Sequence, residues 1–96
     1  MVTHIVFFSF HAEDKSEHLG EAKRRIEAMM GQVPTLRSVE VGINFAEEAR
    51  AMDMALVTRF DDQEGLAAYA SHPVHLDVIA YIKTVAESTK VVDYAS

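Results

Sequence analysis

Ninety-six residues suffice for one domain with a thin core, and a 49% hydrophobic content removes the chain from the disordered class. Nine basic residues against 15 acidic ones leave a net charge of −6, so neither nucleic acid nor an anionic membrane surface is expected as a partner. There is no cysteine for a disulfide framework, no apolar run approaches the roughly 20 residues that span a bilayer, and Met1-Val2-Thr3-His4 lacks the basic region of a signal peptide. The expected setting is therefore the cytoplasm, with residues 1–96 as a single domain.

Val2 to His11 alternates as a strand, with His4, Val6, Phe8 and Phe10 on one face and Ile5, Phe7 and Ser9 on the other. Both faces are apolar, as in a strand covered on two sides, and in so small a chain the second cover is expected from another subunit. Asp14 or Ser16 is placed to cap a first helix with the stripe Leu19, Ala22, Ile26, Met29, Met30 and Val33, ending near Gly31 and Pro34. Lys23-Arg24-Arg25 lies between Glu21 and Glu27 and reads as a solvated helix face. Leu36 to Ile43 reads as a second strand, Asn44 to Arg50 as a loop, and Met52 to Phe60 as a third strand with Met54, Leu56, Thr58 and Phe60 on one face.

Asp61-Asp62 offers a cap for a short helix through Leu66 and Tyr69. Pro73 fixes its own φ and pushes His72 out of the helical region, so that helix should stop near Ser71 and a second begin at about Val74. The second helix carries His75, Val78, Ile79, Ile82, Val85 and Ala86 on one face, which turns the His75 imidazole inward with the aliphatics. Lys90 to Ala95 closes the chain as a fourth strand. The order β-α-β-β-α-β is that of a ferredoxin-like α+β fold, with helices on one face of an antiparallel sheet and Ile5, Phe7, Val39, Val41, Ala55 and Val57 expected on the bare face. A homodimer pairing that face is the expected assembly.

Few residues here can do chemistry, and they gather at Tyr69-Ala70-Ser71-His72-Pro73-Val74-His75. An inward-facing histidine needs a partner for each ring nitrogen, and Tyr69 and His4 are the candidates. His72 is expected to cap a helix end, and His11 and His18 to lie at the surface. Five histidines without matching carboxylate or thiolate spacing do not compose a metal set, no cofactor motif is present, and no Ser-His-Asp motif appears. The methionines suit gap-filling core or pocket wall.

Thr3-His4-Ile5-Val6-Phe7-Phe8, Val33-Pro34, Glu40-Val41-Gly42, Phe60-Asp61, Tyr69 with His72-Pro73-Val74-His75, and Val91-Val92-Asp93-Tyr94 resemble the Dabb family, the stress-responsive dimeric α/β barrel domains. The resemblance covers essentially the whole chain, and its most specific element is His-Pro-x-His. It implies a ferredoxin-like protomer that pairs its bare sheet face with a second copy to close a β-barrel. Within the family, the similarity to olivetolic acid cyclase implies a catalytic histidine at His75, a catalytic tyrosine at Tyr69 and a further pocket histidine at His4. This chain departs from that cyclase at Met54, where the cyclase has another histidine, and at Ala22, Lys23 and Ile26, where it has aromatic pocket residues.

In such chemistry His75 would take a proton from a carbon between two carbonyls and Tyr69 would hold the enolate oxygen. The expected pocket wall is His4, Val6, Phe8, Met54, Leu56, Ile79 and Val91, around a small apolar carbonyl compound, with no metal and no cofactor. Two other classes compete: a non-catalytic small-molecule-binding or stress-protective dimer, and a monooxygenase of related barrel architecture. Against the catalytic roles stands a structural one, in which His75 only locks the helix junction and His4 only bonds a neighbour. An open cavity between the sheet and His75 favours ligand chemistry; a filled one favours the structural role.

Overall fold

The computed structural model describes residues 1–96. Its elements are β1 (Val2–Phe10), α1 (Lys15–Glu27), β2 (Ser38–Ile43), β3 (Met54–Phe60), α2 (Gln63–Ser71), α3 (Pro73–Val85) and β4 (Ala86–Ala95). The strands form one antiparallel sheet in the order β2-β3-β1-β4, which puts the first strand made in the middle. This is the ferredoxin-like α+β arrangement, with its second helical segment divided at His72-Pro73. No helix is long and apolar enough to cross a membrane.

Pairing register decides which face meets the helices. Val6 lies opposite Leu56 on one side and Val91 on the other, and Leu56 lies opposite Val41, so these four share the helix-facing side. Val39 and Val41 were expected on the bare face and are not there; Val41 is 6% exposed within the core. The open face instead carries Glu40 and Gly42 from β2 with Ile5, Phe7, Ala55, Val57 and, from β4, Val92. Phe7, Val92 and Tyr94 are each more than 40% exposed in the single chain.

The core lies between the sheet and the helices, with Phe10, Ile26, Met29, Leu36, Met54, Phe60 and Tyr69 almost fully buried. α1 ends at Glu27, earlier than its apolar stripe suggests, and Met29 and Val33 reach the core from the turns that follow, through Gly31 at φ 89°. Met30, expected in the stripe, is exposed. Asp14 stands at the start of α1 in the left-handed region (φ 52°) and makes no side-chain cap, so the capping expected there is absent. β4 begins directly at Ala86 with no intervening loop, and its register with β1 shifts between Ser9 and Phe10. On the other side of β1, just beyond the last pair with β3, Asp53 donates its amide to the Phe8 carbonyl, while its Oδ2 accepts from the Phe10 amide at 2.7 Å and its Oδ1 from Lys15 Nζ at 3.3 Å. The two ends of the chain meet, the Ser96 amide donating to the Met1 carbonyl at 2.8 Å.

Candidate functional site

Tyr69 is set by the helix that carries it. Asp62 caps α2 by accepting from the Gly65 amide at 2.7 Å, and Thr35 Oγ1 donates to the Gly65 carbonyl at 2.8 Å. A methyl group at position 65 would sit 3.3 Å from Asp62 Oδ1 and 3.5 Å from Phe60 Cβ, so glycine permits this close approach. One turn later Tyr69 packs on Phe60, ring centroids 5.0 Å apart, and is 1% exposed.

The junction between α2 and α3 places the two imidazoles differently. His72 takes extended backbone (φ −67°, ψ 135°), Pro73 occupies the first turn of α3, and His72 Nδ1 accepts from the Val74 amide at 3.1 Å, the capping role expected of it. His75 then stacks on Tyr69 at 4.1 Å between centroids, tilted by 34°. Its hydrogen-bond partner is neither Tyr69 nor His4: Nδ1 lies 3.0 Å from the carbonyl of Ala70, in the last turn of α2. A carbonyl only accepts, so Nδ1 carries the proton and Nε2 keeps its lone pair.

His4, on the helix-facing side of β1, approaches Tyr69 edge-on at 6.3 Å, and its Nδ1 is bonded to the carboxylate of Asp93 on β4. Three rings thus pack around the Tyr69 ring, yet its hydroxyl is buried and has no hydrogen-bond partner. Burial pushes the Tyr69 phenol up to about 12, which keeps it a proton donor at ordinary pH. Burial also lowers His75 below the usual histidine value; the Ala70 carbonyl opposes that shift, and the neighbouring His4 adds to it. His75 is therefore a neutral imidazole at pH 7, with a lone pair available on one nitrogen.

These rings form one end of a cavity of about 360 Å³ between sheet and helices. Val6, Phe8, Leu56 and Val91 provide its floor and Ile79 part of its roof, so the structure brings together all the anticipated wall residues except one. Met54 does not line it; two residues along β3 from Leu56, it packs in the core at 2% exposure. Ile26 from α1, Met29 from the turn after it, Val78 and Ile82 from α3, Lys83 and Thr89 complete the wall. Met29 was expected as core or pocket wall and Ile26 stands where the related cyclase has a pocket aromatic, whereas Val78, Ile82, Lys83 and Thr89 were not expected there. Ile26, Val78 and Ile82 were visible as helix-stripe residues, but only the packing of α1 beside α3 shows that they enclose space. No three His, Asp or Glu side chains converge as a metal set would require.

Fold and site together define a ferredoxin-like α+β domain with a buried tyrosine and a partly buried histidine stacked at the end of an apolar cavity. The chain belongs to the family of stress-responsive A/B barrel domains, Dabb, whose model matches residues 2–96. It is 26% identical over 98 residues to a stress-response A/B barrel domain-containing protein of Arabidopsis thaliana, covering 95% of this chain and 82% of that protein. A dimeric protein of ferredoxin-like fold from Bacteroides fragilis superposes with a TM-score of 0.89 at 29% identity, covering 99% of this chain and 95% of that one. The hydroxynitrile lyase of Passiflora edulis shares the fold, with a TM-score of 0.85 at 15% identity over 97% of this chain and 90% of its own.

Proposed function

We propose that the cavity is the active site of a cofactor-independent enzyme acting on a small, mostly apolar carbonyl compound. The observation that carries this is the Tyr69 hydroxyl, buried and unpartnered beside a neutral imidazole. A buried hydroxyl without a partner costs about 1–3 kcal/mol, and a substrate oxygen would satisfy it. In the proposed step His75 Nε2 takes a proton from carbon next to a carbonyl. The C–H electron pair moves into the enolate, whose oxygen accepts a hydrogen bond from Tyr69. The Ala70 carbonyl, bonded to Nδ1–H, steadies the imidazolium formed, and Asp93 holds the His4 ring at the pocket edge. Ring closure, as in a polyketide cyclase, follows when the enolate carbon adds to a second carbonyl of the same molecule and the imidazolium returns its proton to the new alkoxide. In a lyase-like use the same base takes a hydroxyl proton, the oxygen becomes a carbonyl as the carbon–carbon bond breaks, and the imidazolium protonates the departing carbanion. The lyase among the proteins sharing the fold is in keeping with this chemistry.

The test is deuterium exchange into 2-substituted β-diketones, followed by proton NMR. His75→Gln should abolish enzyme-dependent exchange and Tyr69→Phe should slow it by about tenfold to a hundredfold. The Ala70 contact of His75 favours a second reading, in which the imidazole only ties α3 to α2 within a binding or protective protein. That reading requires exchange at the background rate in the wild type and a loss of stability as the sole effect of His75→Gln.

The open face of the sheet is proposed to be covered by a second copy of this chain. Relatives of the same fold are dimeric, and Ile5, Phe7, Ala55, Val57 and Val92 form an apolar surface that no helix covers.

A further inference from the structure

Lys83 is the one lysine or arginine on the cavity wall, and no carboxylate shares that wall. The chain as a whole is net negative at −6, so the lysine stands against the general field. It is solvent-exposed, makes no hydrogen bond or ion pair with any other side chain, and thus marks the rim of the cavity. Thr89 of β4 is also on the wall, and its hydroxyl is likewise unbonded. At the other end lie Tyr69 and His75. On α3, His75 and Lys83 are eight residues apart, about 12 Å along the axis. Between the two polar ends the wall is aliphatic or aromatic, with Ile79, Ile82 and Val91 prominent.

From this arrangement we infer that the substrate is an amphipathic carboxylate: its carbonyl end meets Tyr69 and His75, an apolar chain fills the middle, and its anion sits at Lys83. Lys83 is then a specificity-determining residue, selecting anionic over neutral carbonyl compounds of the same length. The inference deepens the proposed function and rests on the cavity being a ligand site.

Three probes with the same diketone and the same five-methylene spacer test it: 7,9-dioxodecanoate, its methyl ester, and 2,4-decanedione, in which a methyl group replaces the carboxylate. Affinities are measured by calorimetry. The wild type should bind the acid about fivefold more tightly than the ester. Lys83→Met keeps the apolar stem and should bring the ratio of acid to ester affinity to about one, and Lys83→Glu should invert it. Lys90→Met removes the same charge from the opposite face of the sheet and should leave the ratio intact. Equal binding of acid and ester by the wild type, survival of the preference in Lys83→Met, or equal loss of it in Lys90→Met would each overturn the inference while the cavity remains a ligand site. Binding of none of the three probes would overturn the ligand-site reading itself, and this inference with it.

Discussion

Tyr69 carries the cost of a buried hydroxyl without a hydrogen-bond partner. Because its hydroxyl is buried without a partner, Tyr69→Phe should raise the melting temperature of the ligand-free protein by a few degrees, about 1 kcal/mol in a domain of this size. The same substitution should weaken ligand binding, and scanning calorimetry with and without a β-diketone reads both effects. His75 gives a second prediction through pH. Burial lowers its folded-state pKa below the ordinary 6.5, so between the folded value and 6.5 the unfolded chain binds more protons. The stability it contributes is therefore full above about pH 6.5 and is lost as pH falls through the folded value. The melting temperature of the wild type should drop more steeply between pH 7 and pH 5 than that of His75→Gln. Any base catalysis should rise through that same lowered pKa and be level at neutrality. The residues themselves could be picked out from sequence, since the chain has few other groups able to move a proton. The acceptor of His75 could not, because a backbone carbonyl five residues back becomes available only once α2 has ended.

The α2–α3 junction was legible because proline dictates it. Pro73 bars helix at His72, and the chain turns between α2 and α3 where the sequence placed the turn. The start of α1 was not: Asp14 is a good capping residue by type, yet in a left-handed conformation its side chain caps nothing. Asp62, by contrast, caps in full. Asp62→Ala should cost about 1 kcal/mol, a drop of roughly 4–8 °C in melting temperature. Because α2 carries Tyr69 two turns beyond the cap, ligand affinity should fall as well, by more than in a surface substitution such as Glu64→Ala.

At the level of the molecule, alternation along β2 showed two faces without showing which one meets the helices. Val39 and Val41 take the helix side because Val41 pairs with Leu56, and a register is a property of two strands that neither sequence states alone. The consequence for assembly is an open face narrower and more polar at the β2 edge, where Glu40 stands, and most apolar over β1 and β3. Phe7, 41% exposed in the single chain, can be changed without opening the protomer core. Phe7→Glu should therefore convert a dimer into folded monomers in sedimentation velocity at micromolar concentration, with the far-ultraviolet circular dichroism of the wild type. A wild type that sediments as a monomer at that concentration would remove the second copy from the account.

The meeting of the chain ends bears on how the molecule comes to be folded. β1 lies in the centre of the sheet, yet both its neighbours are remote in sequence, and its pairing with β4 is completed only when the last residues arrive. Contacts of such long range make for slow folding and leave β1 with two unpaired edges in the interval. A circular permutant, with Ser96 joined to Met1 by a short linker and the chain opened between Glu47 and Glu48, would turn β4 and β1 into a local hairpin. It should refold faster than the parent while leaving the cavity walls unchanged.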